Sequence, residues 1–258
     1  MLVYTTNEIV QLVQMWLWPF FRIAGLLMSA PMRGTRTVPV RIRVILAIAI
    51  TIVISPAITG IPNVDPVSPE GVLISIQQVI IGISMGLCVR VVFIALEVAG
   101  QAIGQLMGLM MASMVDPMNG NQVPIIGQFY LLLATLLFLA VNGHLMMIKV
   151  LADSFISLPI GDTGISSNAA WDLLIWTGKI ISVAVIIALP AIVSLLIVNL
   201  SFGVMTRSAP QLNIFAVGFP IMIIFGVVIV FFSLNTFIPH MVDMFDDGIL
   251  KMHNMVNM

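Results

Sequence analysis

Few residues of this chain have types and spacings that could perform catalysis. The three histidines, His144, His240 and His253, are isolated from one another and form no HExxH pattern. The single cysteine, Cys88, lies in an apolar run, so cysteines alone can form neither a disulfide framework nor a metal cluster. The sequence contains no glycine-rich phosphate loop and no GxSxG nucleophile elbow. We therefore predict a protein that is not an enzyme and that uses no metal or cofactor.

Four charged residues within apolar segments are the next candidates for chemistry, namely Arg22, Arg90, Glu97 and Lys179. Placing a charge in a bilayer costs at least about 2.5–3.5 kcal/mol, so each should face protein or water rather than lipid. Arg90 and Glu97 are seven residues apart, on one face of a helix, and could form an ion pathway in a self-contained secondary transporter or channel. The alternative, which the scarcity of acids favours, places all four charges at interfaces with partner subunits.

The composition indicates a membrane protein. Of the 258 residues, 60% are hydrophobic and only 8% are charged, whereas about 25% of the residues of a soluble domain are charged. A net charge of −1 provides no basic face for nucleic acid, so we expect no nucleic-acid partner. The opening MLVYTTNEIVQLV lacks the basic region and cleavage site of a signal peptide, and we expect it to belong to the mature protein.

Six apolar segments are each long enough to cross a hydrocarbon core of about 30 Å. They cover residues 9–32, 42–61, 71–100, 123–148, 173–200 and 212–238. Because backbone groups in lipid must be satisfied within their own segment and the pattern does not alternate as in a barrel, the segments should be helices. The sequence therefore predicts an all-α integral membrane protein with about six hydrophobic segments.

Prolines and one long uninterrupted stretch complicate this simple picture. Pro19, Pro190 and Pro220 lie inside their segments, where each should kink or break the helix. No proline occurs between Pro69 and Pro117, and a single helix over 71–115 would be about 68 Å long. Such a helix should break at its glycines or run far beyond the lipid; the third possibility is one span followed by a loop helix.

The distribution of charges predicts the orientation in the membrane. If the connection 33–43 faces the cytoplasm, the connections on that side carry five arginines and one acid, Asp116, while the other side carries two lysines and nine acids. The five arginines are Arg33, Arg36, Arg41, Arg43 and Arg207. This bias follows the positive-inside rule, so both termini should lie on the side opposite the cytoplasm.

Glycines are spaced as in closely packed membrane helices. Gly82 and Gly86 form one GxxxG, and Gly100, Gly104 and Gly108 follow one another at intervals of four residues. Small residues at this spacing let two helix backbones approach closely. We expect tight helix packing along this stretch, directly before a group of methionines.

The methionines accumulate where the helix is expected to end. Met107, Met111, Met114 and Met118 would share one helical stripe, but the following DPMNGNQVP contains two prolines and a glycine that favour turns. Methionine is unbranched and soft, and fills irregular gaps in cores. The alternative is a flexible apolar loop that lines and seals a pore, since apolar constrictions gate by excluding water. The proposed plug comprises Met107, Met110, Met111, Met114, Val115, Asp116, Pro117 and Met118.

Four short motifs resemble the FliR family of flagellar export-gate proteins and its counterparts in virulence type III secretion. They are RSAPQLNIFAVGFP from residue 207, VDP at 115–117, FLAVNGH at 138–144 and LPIG at 158–161. The first carries the family signature at the tip of a hairpin, through Arg207, Pro210, Gln211, Asn213, Phe215, Gly218 and Pro220. The resemblance covers essentially the whole chain in length, segment count and order.

The resemblance implies a non-enzymatic subunit of the bacterial flagellar type III export gate, within the basal body at the inner membrane. It implies kinked helical hairpins packed in a helical hetero-oligomeric assembly with FliP and FliQ, in contact with FlhB and membrane lipid, through which unfolded export substrates pass. Residues 1–170 would resemble a FliP unit and 171–258 a FliQ hairpin. The family's central plug loop corresponds to 107–122 in this chain.

Overall fold

In the computed structural model the chain is built of helices. The structure describes residues 6–31, 39–58, 60–109, 125–161, 164–208 and 214–257, except for the side chains of 6–12, 206, 208 and 214–217. Within these ranges no β-strand is present, which confirms the prediction of an all-α protein. The α-helices are α1 (Thr6–Ser29), α2 (Val40–Ile54), α3 (Pro69–Leu106), α4 (Ile125–Ala140), α5 (Gly143–Ser157), α6 (Ser167–Ser208) and α7 (Ile214–Val256), with a 3-10 turn at Ser55–Ala57 after α2.

The greater part of each of the six predicted apolar segments lies in a helix or in a bent pair of helices. Within the described ranges, four helices are long and apolar enough to cross a membrane: α2 with its 3-10 turn, α3, α6 and α7. The pair α4 and α5, bent by 65°, makes a fifth candidate span if it is counted as one. The prediction of an integral membrane protein is confirmed, although four or five of the helices, rather than six, have the length and hydropathy of a span.

The bend between α4 and α5 has a local cause. Asn142 adopts a left-handed backbone with φ of 59°, a conformation that asparagine tolerates better than most residues. At the next position, a Cβ added to Gly143 would lie 2.5 Å from Cδ2 of the Phe138 ring. An Asn-Gly pair therefore lets the chain turn here while Phe138 lies against the start of α5.

Helix α3 is continuous over 38 residues, which corresponds to about 57 Å at 1.5 Å per residue. Of the predicted alternatives, a break does not occur at Gly82, Gly86, Gly100 or Gly104, and the helix ends only at Gly108. The physical reason is that one glycine weakens a helix by only about 1 kcal/mol relative to alanine, and burial of the surrounding apolar residues outweighs that cost. The helix instead extends well beyond the roughly 30 Å of a hydrocarbon core.

The internal prolines also leave their helices continuous. Pro19 lies inside α1, Pro190 inside α6, and Pro220 together with Pro239 inside α7. Of the two predicted effects of Pro19, Pro190 and Pro220, a kink or a break, a break is therefore wrong. A proline removes one helix hydrogen bond at a cost of about 3 kcal/mol, but breaking an apolar helix would expose several more backbone groups that lipid cannot satisfy.

The chain forms two compact units. The first contains Met1–Val92, Phe138–Thr177 and Phe245–Met258, and the second contains Phe93–Leu137 and Gly178–Met244. The predicted boundary near residue 170 divides a part that resembles FliP from a part that resembles FliQ, and it stays a prediction. Each compact unit draws segments from both sides of that division.

Aromatic and polar contacts connect several helices of the first unit. Trp18 is fully buried, and its Nε1 donates a hydrogen bond of 3.2 Å to Oγ of Ser75. The rings of Phe138 and Phe245 meet edge to face at 5.2 Å. Lys251 forms an ion pair of 3.1 Å with Asp172. Because both partners of this pair are partly exposed, it contributes at most about 1 kcal/mol.

The second unit packs the end of α3 against α4, α6 and α7. The Tyr130 ring of α4 stacks on that of Phe237 in α7, with ring centres 4.4 Å apart. Nδ2 of Asn199 in α6 lies 3.5 Å from the carbonyl oxygen of Leu106, near the last turn of α3. This unit contains the site at which the predicted plug begins.

Candidate functional site

The first part of the α3 glycine ridge lies directly against α1. A Cβ at Gly82 would overlap the carbonyl oxygen of Arg22 and lie 2.9 Å from the amide nitrogen of Leu26. A Cβ at Gly86 would overlap the hydroxyl of Ser29 and lie 2.8 Å from the carbonyl oxygen of Leu26. These glycines lie against backbone atoms of α1, so a side chain at either position would push the two helices apart.

The second part of the ridge lies against α4. A Cβ at Gly100 would lie 2.6 Å from Cα of Gly127, and one at Gly127 would lie 3.0 Å from the carbonyl oxygen of Glu97. Gly104 differs, because its Cβ would lie 3.6 Å from the Ile126 side chain, an ordinary van der Waals distance. The predicted glycine series therefore contains one position at which a methyl group has room.

Sequence reasoning did not identify the partner glycines. Gly25 of α1 faces α3, where its Cβ would lie 2.7 Å from the carbonyl oxygen of Val79, and Gly127 faces Gly100. Neither belongs to a GxxxG pattern, so spacing within one helix could not have revealed them. The contact pairs a ridge of glycines on α3 with single glycines on its neighbours.

The end of α3 has a defined geometry within the second unit. Met107 is fully buried, and its amide donates to the carbonyl oxygen of Ile103 at 3.0 Å. Its side chain lies against Gly226 of α7, where an added Cβ would be 2.5 Å from Cγ and Cε of the methionine. Met107, one of the predicted plug residues, is thus packed in the helical core of this unit.

Gly108 ends the helix immediately afterwards. Its φ of +78° is a left-handed conformation that favours glycine and terminates helices. A Cβ at this position would also lie 3.2 Å from the ring of Phe219 in α7. The other predicted plug residues, Met110, Met111, Met114, Val115, Asp116, Pro117 and Met118, lie outside the described residues.

Arg22 is enclosed by its own chain rather than placed at a surface that another subunit could reach. It is fully buried in the first unit, and its Nε donates to Oε1 of Gln78 at 2.8 Å. Its terminal nitrogens donate to the carbonyl oxygens of Ser154 and Leu158, each at 2.9 Å. The guanidinium also lies 4.4 Å from the centre of the Phe155 ring.

This arrangement explains how a charge is accommodated in an apolar helix. The two carbonyl groups belong to the last turn and the C-cap of α5, where the helix dipole is negative. The Ser154 carbonyl also accepts the amide of Leu158, whereas the Leu158 carbonyl at the C-cap takes its donor from Arg22, which links α1, α3 and α5. Sequence analysis recognised Arg22 as a charge that must avoid lipid, but the residues that surround it are 56 to 136 positions away.

The other three intramembrane charges are in different surroundings. Arg90 and Glu97 are both half-buried on α3, and they fall in different compact units. Nε2 of Gln101 lies 3.5 Å from Oε1 of Glu97, one turn away on the same helix. Lys179 on α6 is exposed. Their predicted place at subunit interfaces stays a prediction.

The signature residues lie at the end of α6 and the start of α7. Arg207 is exposed in the last turn of α6. Gly218 is buried in α7, Pro220 is exposed inside that helix, and Phe215 belongs to its first turn. Pro210, Gln211 and Asn213 lie outside the described residues.

The described site is suited to packing and has no assembled catalytic group. Within the described ranges, no group of three or more histidine, cysteine or acidic residues is placed to hold a metal ion. What the structure brings together is a long apolar helix with close glycine contacts, followed by a buried methionine and a glycine turn. Such an arrangement can fix the position of the segment that follows it.

Comparison with known proteins identifies the family. The profile of the family described as "Bacterial export proteins, family 1" matches residues 13–248. A protein named flagellar biosynthetic protein FliR from Pectobacterium carotovorum subsp. carotovorum is 40% identical over 228 residues, covering 88% of this chain and 87% of the relative. Proteins of the same name from Escherichia coli strain K12 and Aquifex aeolicus are 37% and 32% identical, each covering 88% of this chain, and 87% and 88% of their own lengths.

Proposed function

Since the chain belongs to the family of bacterial export proteins, family 1, we propose that it is a component of the flagellar protein export apparatus in the bacterial inner membrane. The observation that carries this proposal is the family match over residues 13–248, which includes nearly all of the described helices. The apolar helices support the membrane location, because four or five of them have the length and hydropathy of a span.

Within that apparatus, the chain forms part of the wall of the export pore and supplies its central plug. The geometry at the end of α3 supports this role. Met107 is fully buried against Gly226, and Gly108 ends the helix with a left-handed turn. The predicted plug, 107–122, therefore begins at a fixed point, as a loop must if it is to close a pore reproducibly. The protein acts without catalysing a reaction, and its partners provide the energy for transport.

The chain acts in a hetero-oligomer with FliP and FliQ and in contact with FlhB. The exposed apolar surface of the long helices supports this proposal, since only 22% of the apolar window of α6, and the same share in α7, is buried within the chain. Surfaces of this kind are covered by lipid or by other subunits. Residues 1–170 take the place of a FliP unit, and 171–258, which contain the two consecutive long helices α6 and α7, that of a FliQ hairpin.

Both termini lie on the periplasmic side in this proposal. The supporting observation is the position of the cations: Arg41 and Arg43 occupy the first turn of α2, and Arg207 the last turn of α6. Both helix ends would then face the cytoplasm, in keeping with the positive-inside rule. The self-contained transporter that would use Arg90 and Glu97 gains no support from the described residues.

Deletion of the gene in its own bacterium tests the proposal. We expect hook and filament proteins to disappear from the culture medium and to return when the chain is expressed from a plasmid. A protein exported by the general secretory pathway is the control and should be unaffected. Normal secretion of flagellar proteins by the deletion strain would contradict the proposal. Purification of the tagged chain should recover FliP and FliQ, and their absence would contradict the proposed assembly.

A further inference from the structure

A groove of about 870 Å³ lies between α1 and α2 in the first compact unit. Trp16 and Phe20 line it from α1, and Ile48, Thr51 and Ile52 from α2. Its volume is within the range of about 300–1,000 Å³ that is typical of small-molecule sites. The groove is nonetheless a surface feature that the chain itself leaves open, since Ile48 and Ile52 are exposed.

The groove exists because α2 presents small residues to α1. The buried residues of α2 are Ala47 and Thr51, and the larger aliphatic side chains of the helix stand to either side of them. The hydroxyl of Thr51 donates to the carbonyl oxygen of Ala47 at 2.7 Å, so it requires no partner from an occupant. An occupant of this groove must therefore be apolar along its length.

Two arginines lie beyond the groove toward the start of α2, although neither is among its lining residues. Arg41 precedes Ile48 by seven residues and Ile52 by eleven, so the three share one stripe of the helix to within about 20°. The distance from Arg41 to Ile52 along the axis is about 16 Å, close to the roughly 15 Å depth of one leaflet's hydrocarbon. A molecule with an anionic head and an apolar tail of one leaflet's length would fit this spacing.

Arg43 provides a second cation at the same end. It precedes Ala47 and Thr51 by four and eight residues and so shares the stripe that faces α1. Its Nε is buried and has no hydrogen-bond partner among the described residues. Within the described residues, neither Arg41 nor Arg43 forms an ion pair with a carboxylate. Two cations without a counter-charge among the described residues thus lie beyond the apolar groove, toward the start of α2.

We propose that the groove between α1 and α2 binds an anionic phospholipid of the membrane, with an acyl chain along Trp16, Phe20, Ile48 and Ile52 and the phosphate at Arg41 and Arg43. The start of α2 adds backbone amide donors, since no side chain caps it.

Photolabelling of the assembled complex tests this site. The complex that contains the full chain is placed in phosphatidylcholine vesicles with a small fraction of phosphatidylglycerol that carries a diazirine in its acyl chain. After irradiation, we expect labelled peptides from α1 and α2 that include Trp16–Phe20 and Ile48–Ile52. A phosphatidylcholine probe with the same diazirine chain should label these peptides several-fold less. Equal labelling by the two probes, or labelling only elsewhere, would overturn the proposal.

Two sets of substitutions test the phosphate contact and the acyl-chain contact of the site separately. The double change of Arg41→Gln and Arg43→Gln should lower labelling by phosphatidylglycerol about tenfold, since each cation near an anionic headgroup contributes to the affinity for the lipid. Lys149→Gln, which removes an exposed cation from α5 in the same unit, is the matched control and should leave labelling unchanged. Ile48→Trp should lower labelling by filling the groove while both arginines remain. Labelling that withstands either test change would overturn the assignment.

A photoreactive residue identifies the occupant from the protein's side. Benzoylphenylalanine in place of Ile48 should form an adduct with the mass of a phospholipid when cells are irradiated. An adduct with a partner subunit, and none with lipid, would show that a protein covers the groove and would overturn the proposal. Recovery of each variant in the complex at the normal yield, measured by size-exclusion chromatography, establishes that a loss of labelling is not a loss of folding.

Discussion

The Met107 side chain occupies the space that a Cβ at Gly226 would require, with Cγ and Cε both 2.5 Å from that position. Met107 is the last buried residue before the glycine turn at the end of α3, and Gly226 belongs to α7 more than 100 positions later. The contact therefore ties the start of the predicted plug to a helix that the sequence places at the far end of the chain.

Replacement of Gly226 by alanine should displace Met107. A Cβ at 2.5 Å forces the methionine to move, and overpacking of this kind costs about 1–3 kcal/mol. We expect the assembled complex to unfold at a lower temperature and flagellar secretion to fall. Gly178→Ala in α6 is the matched control, because nothing lies within 4 Å of its Cβ position. Unchanged melting and secretion in Gly226→Ala would show that the methionine adjusts freely.

The glycines of α3 should differ in their tolerance of alanine. At Gly82 the added methyl group meets the backbone carbonyl of Arg22, which cannot rotate away, whereas at Gly104 it meets Ile126 at 3.6 Å. We expect Gly82→Ala to prevent normal accumulation of the complex and Gly104→Ala to be neutral or slightly stabilising through helix propensity. Immunoblots of membranes and thermal melting in detergent measure both. Equal effects of the two substitutions would argue against the described helix contacts.

Removal of Arg22 should destabilise the first unit. In Arg22→Met, Oε1 of Gln78 and the carbonyl of Leu158 lose their donor, at about 1–3 kcal/mol for each buried acceptor left unsatisfied, while the Ser154 carbonyl keeps the amide of Leu158. Arg22→Lys should have an intermediate effect, because one ammonium group cannot reach all three acceptors. Limited proteolysis and melting of the complex report the change.

The control for Arg22 is an exposed cation on one of the helices that it connects. Lys149→Met removes a positive charge from the exposed face of α5 and should change stability by no more than about 0.5 kcal/mol. If Arg22→Met were as stable as Lys149→Met, the hydrogen bonds of the guanidinium would contribute little to the fold.

Deletion of Met110–Met118 should make the assembled gate permeable to small ions. The expectation follows from the apolar composition of this segment and from its position directly after the glycine turn at Gly108. Membrane conductance in cells that carry the deletion is the measurement, and recovery of the complex at normal yield is the required control. Normal conductance with an intact complex would contradict a sealing role.

The chain by itself should not form a stable functional unit. Large apolar side chains such as Leu189, Leu196 and Leu200 are at least half exposed along α6, and lipid or other subunits must cover them. We expect the separately purified chain to be polydisperse in detergent and to transport no ions in liposomes. A monodisperse chain with ion flux in the absence of partners would favour the self-contained transporter.

Composition and motif residues alone determined the class and family of this protein. Hydrophobic content and segment length indicated an all-α membrane protein, and the helices lie where the apolar segments are, because a backbone in lipid can satisfy its hydrogen bonds only within a helix. The residues from Arg207 to Pro220 indicated the export family that the profile match confirms. These properties depend on side-chain types and on order along the chain, which a sequence states directly.

The tertiary structure decided which of the predicted residues are constrained and by what. Gly82 and Gly104 have the same spacing pattern in the sequence. In the structure, Gly82 lies against the backbone of α1, whereas Gly104 lies beside a side chain that leaves room for a methyl group. The cost of a charge in lipid led to the prediction of a subunit interface for Arg22, and the structure gives it hydrogen bonds to Gln78, Ser154 and Leu158 of its own chain. The physical reason is that periodicity gives the face of a helix on which a residue lies. What meets that face depends on helices that are distant in sequence.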